Sequence, residues 1–305
     1  MNSKFFFSVG FLFSVLLFIS CNNDRNEEIN EDRENVFRIS CDESFRPVID
    51  AQLQVFQISY PDAKVFIAYK SESECIGDLL VDSVNMVIIA KKLSEQERNF
   101  ISDSLKLGTD QATVAYDAIA VITHPLSNDS MFTMKEITDL VSGKANKNLI
   151  PVFDGLKATS TVRFMIDTVL RGGKLGENVV AAQSSEAVLD YVSTNPDAVG
   201  FIGVSWIGNK EDTAHLSFLK KVKIAYLEST DSAGAYVKPF QYNLYTGSYP
   251  MVRDLVYVLK DRSRIGDDFA NFMENQRGQL IFRRAYLAPA ILPAVVRPTE
   301  LKEEY

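Results

Sequence analysis

Residues 114–143 read VAYDAIAVITHPLSNDSMFTMKEITDLVSG, and the stretch changes character partway along. Val114 to Thr123 is an apolar, β-branched run, the composition of a buried strand. Thr133-Met134-Lys135-Glu136 is then a capping box, in which Thr133 and Glu136 satisfy each other's free backbone N–H groups. The helix it opens runs to Gly143, a natural residue for the position just past a helix end. Strand followed by capped helix is the unit from which α/β sheets are built.

The same unit recurs on both sides. Strand-like runs occupy 36–40, 64–69, 85–90, 150–153, 179–182, 199–202 and 222–227. Further capping boxes stand at Ser94–Glu97 and Ser71–Glu74, the latter ahead of Ile76, Leu79 and Leu80 at helical spacing. Ala187, Val188, Tyr191 and Val192 form another apolar face, closed by Asn195-Pro196. Alternating strands and helices predict an α/β fold with largely parallel sheets. Trp206, Phe240, Tyr242, Tyr245 and Tyr249 are read as core packing in aromatic-rich strands rather than as a platform for sugar or peptide, and so is VRDLVYVL at 252–259.

Composition excludes several functions. The 305 residues are 46% hydrophobic and carry a net charge of −8, with no basic run, which argues against a nucleic-acid partner. Two isolated His, His124 and His215, do not make a zinc site, and no cofactor or metal is expected. No nucleophile has a base beside it, so catalysis is not expected; Asp42 and Glu43 read as helix-start acids.

Residues 1–20 pair one charge, Lys4, with an apolar stretch to Ile19, the layout of a signal peptide. Phe18-Ile19-Ser20-Cys21 resembles a bacterial lipobox, which makes Cys21 the lipidated residue. Residues 21–35 are then the lipidated Cys and an acidic tether too polar to bury apolar area. The expected location is the periplasmic face of a bacterial envelope, held to the membrane through this N-terminus. In that compartment Cys41 and Cys75 could form a disulfide or remain two buried thiols, and spacing leaves both open.

Ligands of α/β sheets bind where strands end and helices begin, because helix N-termini present unpaired N–H groups. Three such junctions are rich in hydroxyls: Ser40-Cys41-Asp42-Glu43-Ser44-Phe45, Lys70-Ser71-Glu72-Ser73 and Thr159-Ser160-Thr161-Val162-Arg163. Hydroxyls at helix starts are neutral donors suited to an oxyanion.

From about Val36 to Arg297 the chain resembles the PstS-like phosphate-binding family of periplasmic solute-binding proteins. Asp117-Ala118-Ile119-Ala120-Val121-Ile122 is similar to the family's "YDAIAVIVN" strand, and Phe132-Thr133 through Ser142-Gly143 to its "LT…L…IFSG" helix. Ala198–Gly203 resembles "AIGYVG", Ser248–Arg253 resembles "YPLSR", and Phe269–Phe272 with Gly278-Gln279 resembles "FLNF…EGQ". The resemblance implies a two-lobed type II periplasmic solute-binding protein fold with a ligand cleft between the lobes. Lobe 1 is then 36–118 with 239–305, and lobe 2 is 119–238, with crossings near Thr123-His124-Pro125 and Lys238-Pro239.

By the same resemblance Ser44 and the backbone N–H of Phe45 contact the anion, as do Thr159, Ser160 and Thr161. Ser71 and Ser73 stand in the second contact loop, interrupted here by Glu72 and Glu74. The family's Asp ahead of "PL" is absent from Ala90-Lys91-Lys92-Leu93, and its Arg ahead of "SGT" is absent near Gly155, so Lys91, Lys157 or Arg163 is expected to supply the charge. The implied function is capture of phosphate or a similar inorganic oxyanion by a monomer that feeds an ABC permease. The alternative is a sensor or envelope-assembly lipoprotein of the same fold, with anion binding altered or lost.

Overall fold

Among the residues described by the computed structural model (36–106, 108–155, 159–207, 219–260 and 263–291), thirteen strands run in chain order. They are β1 Phe37–Asp42, β2 Val65–Lys70, β3 Met86–Ile89, β4 Asp110–Thr123, β5 Met131–Phe132, β6 Ile150–Phe153, β7 Val180–Ala181, β8 Ala198–Gly203, β9 Lys223–Ile224, β10 Tyr226–Glu228, β11 Tyr236–Val237, β12 Val252–Leu259 and β13 Ala288–Pro289. The expected signal peptide, Cys21, the tether, Lys157 and His215 lie outside the described residues.

The main sheet has the order β2-β1-β3-β12-β4-β8-β6-β7, with β9 and β13 also paired to β4. Its two wings are parallel: β1 pairs with β2 and β3, and β6 pairs with β7 and β8. The centre departs from the largely parallel sheet expected, because β12 runs antiparallel to β3 and β4, and β4 antiparallel to β8. β4 is 14 residues long. Its Asp110–Ala118 half pairs with β12 and its Ile119–Thr123 half with β8, so one strand belongs to both wings. The result is an α/β fold with a curled mixed sheet.

Hydrophobic burial follows the same division. Phe45, Ile49, Phe56, Met86, Phe269 and Phe282 gather into one core, to which β4 contributes Val114 and Ala115. Ile137, Phe153, Phe201, Leu227, Leu244 and Tyr249 gather into another, to which β4 contributes Ala118, Ile119 and Val121. The helix Ser185–Thr194 lies close on β8, and Gly200 makes that approach fit: a Cβ there would come within 2.8 Å of Ile122, Val188 and Val192.

The local signals form as read. Ser94, Thr133 and Ser71 open the helices Glu95–Leu105, Met134–Val141 and Glu72–Asp78, and Gly143 takes a φ of +75° past the second. The run 222–227 breaks at Ala225 into β9 and β10. The aromatic reading needs correction. Gln241–Tyr245 is a helix rather than a strand, and Phe240, Tyr242 and Tyr245 are 46%, 74% and 42% exposed, while Tyr249 is buried. Cys41 and Cys75 are both free buried thiols, so the disulfide weighed above is absent, and burial pushes both thiols up.

Candidate functional site

β1 ends at Asp42, a single turn Glu43–Phe45 follows, and the helix Arg46–Ser59 begins. In that turn the Ser44 N–H and hydroxyl both donate to Asp42 Oδ1, at 3.0 and 2.8 Å. On the other wing β6 leads to Asp154, and Thr159 caps the helix Ser160–Phe164 by accepting from the Val162 N–H at 3.3 Å. The Thr159 hydroxyl donates to Asp154 Oδ1 at 3.1 Å.

These two junctions face one another. Ser44 Oγ and Ser160 Oγ lie 3.0 Å apart and share a hydrogen bond. Beneath them comes Arg253 from β12, whose Nη1 donates to Ser160 Oγ at 2.8 Å and Thr161 Oγ1 at 3.4 Å. Its other face grips Asp117 Oδ2, Nε at 2.8 Å and Nη2 at 2.7 Å, and the Phe45 ring lies 5.1 Å from its centre. Ser44, Asp117, Ser160, Thr161 and Arg253 are all buried. Gly203 leaves the guanidinium its room, since a Cβ there would meet Arg253 Nη2 at 2.9 Å. Burial alone would lower the Arg253 pKa, but Asp117 and Asp42 outweigh it and the group is held charged. Burial pushes Asp117 the other way, up, and Arg253 opposes that shift.

The second junction is arranged differently. Ser71 and Ser73 line the cleft, but the Ser71 N–H and hydroxyl both donate to Glu74 Oε2, at 3.0 and 2.6 Å. Glu72 turns inward, is 2% exposed, accepts the Ala90 N–H at 3.0 Å, and pairs with Arg163 through Nε and Nη2. Arg163 also donates to the Ala90 carbonyl at 3.3 Å. Lys91 pairs with Glu97 at 2.6 Å. Of the three cations expected to serve an anion, the two that lie among the described residues, Lys91 and Arg163, thus have carboxylate partners of their own. The guanidinium that does touch the hydroxyl cluster is Arg253, which residue-by-residue reading missed. Its signal lay in two stretches already quoted, because Arg253 and Asp117 stand directly opposite in the β12–β4 register.

A cleft of about 680 Å³ opens beside the cluster, with Asp42, Glu43 and Ser71 on one wall and Asp154 and Thr159 on the other. Glu43 Oε2 accepts from the Ser185 hydroxyl at 3.0 Å, and burial pushes its carboxyl up. Burial, then Asp42 and Glu43, push Asp154 up to about 7. Among the described residues no cluster of His, Cys, Asp and Glu is arranged to hold a metal ion. His124 serves its own turn, accepting the Leu126 N–H on Nδ1 at 3.1 Å.

A family model described as a PBP superfamily domain matches residues 28–276. The phosphate-binding protein PstS of Pseudomonas aeruginosa is 22% identical over 269 residues, 80% of this chain and 79% of that protein. A Clostridium perfringens protein solved with bound phosphate, and described as a phosphate ABC transporter substrate-binding protein, superposes with a TM-score of 0.70 at 22% identity, over 84% of this chain and 100% of that one. An ABC-type phosphate transport receptor from Vibrio cholerae gives a TM-score of 0.62 at 15% identity, over 83% and 99%. The likeness to these structures establishes the two-lobed solute-binding fold.

Proposed function

We infer what this chain does from the family to which it belongs, the PBP superfamily, and from its buried hydroxyl cluster. The reading is a solute-binding protein that captures phosphate or a related oxyanion for an ABC transporter. The observation that carries it is the meeting of Ser44, Ser160 and Thr161 over Arg253, at two facing strand-to-helix junctions. Hydroxyls, helix-start N–H groups and one buried guanidinium are the donors a dehydrated oxyanion requires.

In this reading Ser44, the Phe45 N–H and Thr159, Ser160 and Thr161 hold the anion, with Ser71 and Ser73 at the rim. Arg253 takes the part assigned from sequence to Lys91, Lys157 or Arg163; Lys91 and Arg163 are paired instead with Glu97 and Glu72. The lobes are 36–118 with 239–305, and 119–238, moving about β4; the packing of Leu244 and Tyr249 with the second core favours a return crossing nearer Val252. Opening separates Ser44 from Ser160, and closure replaces their mutual hydrogen bond by bonds to the anion. The chain is exported, anchored by lipid on Cys21, and acts as a monomer that delivers its anion to a permease without chemistry.

Calorimetric titration of the purified full chain with phosphate tests the reading, after unfolding and refolding to strip bound anion. Saturable binding, weakened about tenfold or more in Ser160→Ala, is expected. No heat with phosphate, arsenate, sulfate or molybdate, from a chain whose circular dichroism is intact, would sink it. One observation favours the sensor or assembly alternative in that event: the chain's own carboxylates already accept from the hydroxyls of all three junctions, Asp42 from Ser44, Glu74 from Ser71 and Asp154 from Thr159.

A further inference from the structure

The hydroxyl cluster and Arg253 are buried beside the cleft and leave the acids that line it unexplained. Asp42 is 1% exposed; its Oδ1 takes both Ser44 donors, and its Oδ2 has no partner. Glu43 gives Oε2 to Ser185, and its buried Oε1 has no partner. Asp154 faces both from the opposite wall, its Oδ1 taken by Thr159. Buried carboxylate oxygens are ordinarily paired, and leaving them bare is costly.

Among the described residues no cation hydrogen-bonds Asp42 Oδ2 or Glu43 Oε1, although Arg46 and Lys70 also line the cleft and Arg46 and Arg253 act on the acids through space. Arg253 is committed to Asp117, Lys70 to Asp78 at 2.6 Å, and Arg163 to Glu72. Arg46 lies over the Tyr69 ring at 4.8 Å. Glu74, on the same wall, adds a further negative charge. Mutual repulsion with Asp42 and Glu43 contributes to the raised pKa of Asp154, and Arg253 offsets it only in part. An inorganic anion alone would enter against these charges, and a cleft of about 680 Å³ offers far more room than bare phosphate fills.

Resting on the oxyanion reading above and extending it, we propose that the cleft takes a zwitterion: a phosphate or phosphonate carried on a short primary amine. Its oxyanion lies on Ser44, Ser160, Thr161 and Arg253, and its ammonium lies among Asp42, Glu43 and Asp154. An ammonium has three N–H donors in a compact charge, which matches three carboxylates converging from two walls. The amine adds positive charge where the carboxylates Asp42, Glu43, Glu74 and Asp154 outnumber the cations Arg46 and Lys70, so the phosphoryl group need not be held against unrelieved repulsion.

The test compares three probes on the purified full chain by calorimetry: inorganic phosphate, ethyl phosphate and phosphoethanolamine. The last two differ chiefly in the amine. Phosphoethanolamine is expected to bind at least about tenfold more tightly than ethyl phosphate, and Asp154→Asn to bring that ratio close to unity. Wild-type chain alone decides the main point, so a misfolded variant does not leave it open. Equal affinity for the two phosphoesters, with phosphate still bound, overturns the zwitterion and leaves oxyanion capture standing. No heat from any of the three overturns both.

Discussion

At the scale of single residues, Asp154 and Arg253 show how burial makes charge consequential. Asp154 has a folded pKa of about 7 against an ordinary 3.8. Between those values the folded chain holds a proton that the unfolded chain has released. The stability that Asp154 contributes is therefore full below about pH 4, falls as pH rises through the window, and is lost above about pH 7. The shift at Glu43 is upward too and has the same sign. The urea midpoint is expected to be lower at pH 8 than at pH 5, and Asp154→Asn to flatten much of that fall; an unchanged slope in the variant would show that other groups set it. Arg253→Met acts through its partner, leaving Asp117 buried beside no cation. A loss of about 3–5 kcal/mol in urea denaturation is expected, far more than an exposed Arg of the same sheet would cost.

At the scale of elements, close packing decides what the junctions can present. The helix Ser185–Thr194 sits on β8 because Gly200 has no side chain to hold it off. Gly200→Ala is expected to cost about 1–3 kcal/mol by overpacking against Ile122, Val188 and Val192. Differential scanning calorimetry reads this as a fall in Tm, and an unchanged Tm would mean that the helix can shift at little cost. Capping boxes, strand cores and the turn at Gly143 were legible in the sequence because each depends on residues three to ten apart. The helix at Gln241–Tyr245 was not, since its short aromatic run has no clear period and its neighbours set its conformation.

At the scale of the whole molecule, β4 is the element both wings share, and the hydroxyl cluster lies where they meet. A ligand held by both wings stabilises the folded chain by mass action. Phosphate at a hundred times its dissociation constant is expected to add about 2.7 kcal/mol and raise Tm, a shift absent with chloride at equal ionic strength. The alternation of strand and helix, the caps and the three hydroxyl-rich junctions are all legible in the chain's residue order, because they follow from local period and backbone hydrogen bonding. Which charges lie beside those junctions depends on contacts distant in the chain. Arg253 meets Asp117 across 136 residues of chain, and Arg163 is drawn to Glu72 across 91. Such pairings arise from strand register and burial, where the need to match every desolvated charge selects among partners that local sequence leaves equivalent.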